Sequence, residues 1–217
     1  MTGEAPDIVI VGGGGHARVL IDALRASGDA RTLGAIDADR SLIGSSIFDV
    51  PVLGDDALLP ELIAAGTRLF AIGVGGTRDN APRARLFDAA VAAGMQPVTI
   101  VHPSATISRY AEIAAGAQVL AGAVVNASAR IGRNAIVNTS AVVEHDCNVG
   151  DHAHVSTGAR LASTVTVGAG AHIGVGATVR QLVAIGAAAV VGAGAVVIQD
   201  VPAGAVVVGV PAKEFAK

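Results

Sequence analysis

The chain has 217 residues, 52% of them hydrophobic but only 2% aromatic, with 28 glycines and a net charge of −3. That length suits one large domain or two modest ones, and a core of Val, Ile, Leu and Ala without aromatics calls for thin, repeated layers. No run of Lys or Arg supplies the cations that displace counterions from phosphates, which excludes a nucleic-acid groove.

Cys147 is the single cysteine, so no intrachain disulfide framework exists. The opening MTGEAPDIVIV lacks the basic flank and cleavage site of a secretion signal, and a cytoplasmic setting is expected.

Residues 8–11 read as a buried strand, 12–15 as a glycine loop, and the following stretch as an amphipathic helix carrying Val19, Leu20 and Leu24. Such a strand, loop and helix unit can hold a phosphate on its backbone amides. A second strand over 33–36 ends at Asp37, with Asp39 after Ala38. An acid about twenty residues beyond the glycines has the spacing to meet a ribose hydroxyl. A helix over 56–65, a strand over 69–73, a helix over 83–93 and a strand over 98–101 complete a Rossmann-like α/β domain, assigned to residues 1–103. Gly12, Gly14 and Ala17 also suit a dinucleotide-dependent reductase, but no substrate domain for hydride transfer follows.

From Ile107 to Val197 an aliphatic residue returns every sixth position, and two residues before each stands a small one. The small column is Ala from 105 to 195 except at Cys147, Val165 and Val183. An α-helix rotates 3.6-residue turns out of phase with such a column within a few turns, so residues 104–198 read as a parallel β-helix of short strands and tight corners. Gly132, Gly150, Gly168, Gly174, Gly186 and Gly192 follow the aliphatic position, which suits a corner with an unusual φ. The apolar run 182–198 has the length of a marginal membrane span, but Ile185, Val191 and Val197 keep the repeat phase, so coils are expected and no span. Residues 199–217 form a C-terminal tail.

The glycine loop with His16, the strand end at Asp37, the six-residue repeat and the closing Gly209-Val210-Pro211-Ala212-Lys213 together resemble the sugar O-/N-acetyltransferase family of hexapeptide-repeat acyltransferases. That family includes sialic acid O-acetyltransferases and N-acetyltransferases of nucleotide-linked 4-amino sugars, such as bacillosamine precursors and perosamine. The resemblance implies a left-handed β-helix with three hexads per coil, acetyl-CoA as co-substrate, and a homotrimer with active sites between neighbouring helices. It implies transfer of acetyl to the 4-amino group of a UDP- or GDP-linked 4-amino-4,6-dideoxy sugar. O-acetylation of sialic acid or another sugar hydroxyl is the first alternative, and a non-catalytic β-helix assembly protein the second.

Acyl transfer needs a group that takes a proton as the nucleophile attacks, and an imidazole titrates near working pH. His145 follows the inward Val143 by two residues, which sets its ring outside the prism. Asp146, or Glu144 as a rival, would orient it; Asp146 is preferred because Glu144 sits where a corner Gly or Ser is usual. The family pattern of histidine followed by an acid gives His145 the role of base and Asp146 that of its partner. The resemblance also sets acetyl-CoA against His154, Ser163, Val175 and Ala193, with the Ser163 backbone N–H as oxyanion donor. It sets the sugar nucleotide against Gly14, Gly15, His16, Asp37 and Gly73, with Asn138 touching the amine or acetyl group or else capping a corner.

At three hexads per coil His154 stacks on His172 at about 4.8 Å, one strand spacing. His152 is close in sequence, but no Cys or carboxylate completes a recognisable set with them, and no metal is expected. Cys147 belongs to the inward small column and reads as a core thiol.

Overall fold

The computed structural model describes residues 6–215; the first residues of the stretch read for a secretion signal lie outside them. A first sheet has the strand order β3-β4-β2-β1-β5-β6. Its strands are β1 (Asp7–Val11), β2 (Arg31–Ile36), β3 (Ser46–Ile47), β4 (Val50–Gly54), β5 (Leu69–Ile72) and β6 (Gln96–Pro97). All pairings are parallel except the β3–β4 hairpin, which the sequence reading missed. The buried run Ile8 to Val11 makes β1 the centre of the sheet, since a strand covered on both faces has no polar alternation. Helices α1 (Gly15–Ser27), α2 (Leu59–Ala64) and α3 (Ala81–Ala92) connect the strands. Helix α1 buries Ala17, Leu20, Ile21 and Leu24, and ends at Gly28, whose φ of 72° closes the helix with an N–H to the Leu24 carbonyl.

The expected strand over 98–101 divides in two. Gln96–Pro97 pairs with β5, whereas Ile100–Val101 pairs with Gln118–Val119 as the first rung of the second part. From there the chain winds a left-handed β-helix with three sheets of eight, six and five strands, parallel except for Lys213–Glu214, which pairs antiparallel with Val207–Val208. Up to Val197 each rung pairs with the one eighteen residues on, as Arg130 with Asn148 and Val142 with Arg160, and the last turn is two residues shorter, Val190 pairing with Val206. The aliphatic and small columns both point inward, forming one continuous core from Ala117 to Val207 with Cys147 in it. Truncating a buried Leu such as Leu161 in a core of this kind costs about 2–5 kcal/mol. The apolar run 182–198 supplies three rungs, and among the described residues no helix is long and apolar enough to cross a membrane.

The glycines that follow the aliphatic column do not have the φ expected of them. None of Gly132, Gly150, Gly168, Gly174, Gly186 or Gly192 has positive φ. A Cβ on Gly150 would stand 2.7 Å from the Ala169 backbone N, and on Gly168 2.4 Å from that of Ala187. These positions are glycine because adjacent coils stack too closely for a side chain. The left-handed turn falls two residues later, at Gly158 or Gly170 and at non-glycine residues such as Ser140 and Asp146.

Two faces of the prism leave their outward residues partly or fully exposed, but on the third Ile100, Gln118, Ile136, His154 and His172 are buried. The α/β part lies against that face. Ile100, Leu120 and Ile136 pack in one cluster with Leu20, Ile21 and Leu24 of α1.

Candidate functional site

The corner between Val142–Val143 and Asn148–Val149 carries Glu144, His145 and Asp146. Asp146 takes φ 60°, a left-handed conformation that Asp tolerates, and its Oδ2 stands 2.7 Å from His145 Nδ1. A carboxylate there accepts the Nδ1 proton, which leaves the lone pair on Nε2. Both side chains are about half exposed, at 54% and 55%. Glu144 is occupied elsewhere: its Oε2 accepts from Asn126 Nδ2 at 3.0 Å and from the backbone N–H of His145 at 3.1 Å. Ser163 lies one coil further along the same corner, where Thr164 donates its N–H to the His145 carbonyl at 3.0 Å. The Ser163 N–H has no acceptor among the described residues. Cys147 is buried, donates to the Ala162 carbonyl, and burial raises its pKa.

The residues read for the sugar nucleotide lie together at the C-terminal ends of β1, β2 and β5. Gly14 and Gly15 face open space. Gly73 is a packing residue, since a Cβ on it would meet the Gly12 carbonyl at 2.2 Å and Ala17 at 3.0 Å. Asp37 holds the loop: its Oδ2 accepts the Gly13 N–H at 2.6 Å and its Oδ1 the Asp39 N–H at 2.8 Å. Asp39 in turn caps the short helical turn Arg40–Leu42.

Behind this loop a buried polar seam joins the two parts. His16 Nε2 donates to Gln118 Oε1 at 2.7 Å, and Gln118 Nε2 donates to the Ile72 carbonyl at 3.0 Å, which fixes the amide and hence the tautomer. Burial, with the Arg83 cation, holds His16 down to about 4 against the Gln118 bond. Arg83 is itself buried, donating from Nε to the Asn134 carbonyl at 3.1 Å and from Nη1 to the carbonyls of Ile72 at 3.0 Å and Val74 at 2.8 Å. It has no carboxylate partner among the described residues, and burial lowers its pKa to about 9.

His154 donates from Nδ1 to the Gly76 carbonyl at 2.9 Å. Its Nε2 accepts from Asn138 Nδ2 at 3.0 Å, and Asn138 Oδ1 accepts the Thr139 N–H at 2.7 Å. Burial first, then the His172 and His16 rings, push His154 down to about 3 despite the Gly76 bond. His172 pairs in register with His154, with ring centroids 5.1 Å apart but planes at 85°, an edge contact where a stack was expected. Val175, Ala193 and His172 line a pocket of about 470 Å³ that continues along Val190, Val206, Val208 and Phe215. Val175 and Ala193 therefore share one pocket and His154 adjoins it, whereas Ser163 lies with His145 on a different edge of the prism. Within one chain His145 and Asn138 also stand at different corners. Among the described residues no group of three or more His, Cys, Asp or Glu is placed to hold a metal.

The sequence reading missed Gln118, Arg83, Asn80 and Gly76. Gln118 carried a signal: it shares the outward column of Ile136 and His154, which only a covering layer makes consistent. Arg83 carried none: it begins the helix expected over 83–93, and nothing in that stretch marks a cation that the fold buries.

The PglD N-terminal domain family matches residues 7–90. No curated protein matches the chain significantly. Among solved structures, a histidine-to-asparagine variant of perosamine N-acetyltransferase from Caulobacter crescentus, in complex with CoA and GDP-perosamine, superimposes with a TM-score of 0.92 and 41% identity, covering 97% of each chain. The acetyltransferase domain of PglB from Neisseria gonorrhoeae, in complex with acetyl coenzyme A, gives a TM-score of 0.88 at 34% identity over 96% of this chain and 98% of that one. WeeI from Acinetobacter baumannii gives 0.82 at 25% identity, covering 96% and 99%. Identity above a third with two of these proteins, along nearly the whole length and through both parts of the fold, means that the chain belongs to the sugar acetyltransferases of the hexapeptide-repeat family.

Proposed function

We propose that this enzyme is an acetyl-CoA-dependent N-acetyltransferase for the 4-amino group of a nucleotide-linked 4-amino-4,6-dideoxy sugar, acting by direct transfer. The observation that carries the chemistry is the His145–Asp146 pair: an exposed imidazole with a carboxylate on Nδ1 and a free lone pair on Nε2. The sugar amine attacks the thioester carbonyl while His145 Nε2 accepts its proton. The Ser163 N–H bonds the developing oxyanion. Collapse of that intermediate breaks the carbon–sulfur bond, and the imidazolium returns its proton to the departing thiolate.

In this reading the α/β part holds the nucleotide sugar, at Gly14, Gly15, His16, Asp37 and Gly73. The β-helix, which begins at Ile100 and continues through the Val206–Val208 rung, holds acetyl-CoA at His154, Val175 and Ala193. Support for the ligands comes from the relatives solved with CoA and GDP-perosamine and with acetyl coenzyme A. A homotrimer is part of the proposal, because His145 and the Val175 pocket occupy different edges of one prism and a second copy would bring such edges together.

The test is thiol release from acetyl-CoA with UDP- and GDP-linked 4-amino-6-deoxy sugars, and with sialic acid in parallel. Rapid release with one amino sugar is expected. Release with sialic acid alone replaces N- by O-acetylation, and no release with any acceptor removes the reading.

A further inference from the structure

The pocket beside Val175 and Ala193 is apolar along most of its wall, from Val190 through Val208 to Phe215. Among its lining residues Arg78 is the one with a permanent charge. Arg78 comes from the α/β part, on the connection between β5 and α3, and this connection is fastened to the β-helix on both sides of it. Before it, the Gly76 carbonyl accepts from His154 Nδ1 at 2.9 Å. After it, the buried Asn80 donates from Nδ2 to the carbonyls of Gly170 at 3.0 Å and Ala171 at 3.1 Å. Gly76 packs so tightly there that a Cβ would overlap Asn80 Oδ1 and stand 3.3 Å from His154 Nδ1. The neighbouring Asp79 is turned to α3, where its Oδ1 accepts the Ala81 N–H at 2.8 Å. Arg78 is exposed and has no hydrogen-bond or ion-pair partner among the described residues.

An apolar slot with one unpaired guanidinium at its rim matches a ligand with a long, weakly polar arm and an anionic end. We infer that Arg78 is a specificity-determining residue that pairs with a phosphate at the nucleotide end of the acyl donor. A guanidinium recognises phosphate through paired N–H donors, and a loop fixed at both ends lowers the entropy lost on binding. The inference rests on the acetyl-CoA reading above and adds to it a contact that the α/β part makes with the donor held by the β-helix.

The experiment compares acetyl-CoA with S-acetyl-pantetheine, which has the same arm and no phosphate, in the full-length protein. Arg78→Gln is expected to raise KM for acetyl-CoA about tenfold, the size of one lost charge-assisted hydrogen bond. The kcat and the KM for the nucleotide sugar stay unchanged, and Arg78→Lys recovers most of the loss. With S-acetyl-pantetheine, R78Q and the unaltered protein give the same kcat/KM. An unchanged KM for acetyl-CoA, an equal loss with S-acetyl-pantetheine, or a raised KM for the nucleotide sugar overturns the inference. Failure of the unaltered protein to use acetyl-CoA with any acceptor overturns instead the donor reading beneath it.

Discussion

The exposed corner and the interdomain seam put the same side chain to opposite uses. At the corner, His145 meets solvent on one side and the Asp146 carboxylate on the other, so its Nε2 stays available. In the seam, His154 has a partner on each nitrogen, His16 is tied to Gln118, and burial keeps both neutral. Surroundings decide whether an imidazole carries protons or serves as a fixed, uncharged hydrogen-bonding strut.

Removing the corner imidazole is the harshest test of that contrast. His145→Ala should lower turnover by on the order of 100- to 10,000-fold, the range of general base catalysis, while the Kd of CoA measured by calorimetry holds steady. Retained turnover would move the base elsewhere.

In the seam the loss should fall on stability. Arg83→Ala leaves the carbonyls of Val74 and Asn134 without their side-chain donor and that of Ile72 with Gln118 alone, and a cost of about 3 kcal/mol is expected, read as a lower urea midpoint. An unchanged midpoint would show that water replaces the guanidinium.

Acid should separate the two regions as well. His16 and His154 lie near 4 and 3 in the fold but titrate at about 6.5 once unfolded. Across that window the unfolded chain binds more protons, so stability falls as pH falls, by up to ~1.4 kcal/mol per pH unit for each imidazole. His154→Asn should flatten the slope of unfolding free energy from about pH 7 to 5; an unaltered slope would argue against a neutral, buried His154.

The smallest effect is expected at the carboxylate of the corner. Asp146→Asn keeps the shape but loses the charge that orients the ring, and a rate loss of about tenfold, ~1.4 kcal/mol, should appear in the same thiol assay. A loss as large as that of His145→Ala would give Asp146 a part in the proton transfer itself.

The amino-acid sequence by itself determined the β-helix, because a six-residue period with two inward columns has one way to bury both, and the register runs from Ile107 to Val197 without a slip. It offered His145 with Asp146 preferred over Glu144, and the corner itself sets the Asp146 carboxylate on Nδ1 while Glu144 bonds Asn126. The glycine loop and Asp37 were legible as a pair, since strand ends in such a sheet converge. The division of the strand over 98–101, the covered face of the prism, and the partners of Gln118, Arg83 and Asn80 were decided by tertiary structure alone. Each depends on how the α/β part lies on the β-helix, with partners as far as 102 residues away. Local periodicity records which face of an element is apolar, but a polar side chain's partner across a domain seam is fixed only when the two surfaces meet and every buried donor must find an acceptor.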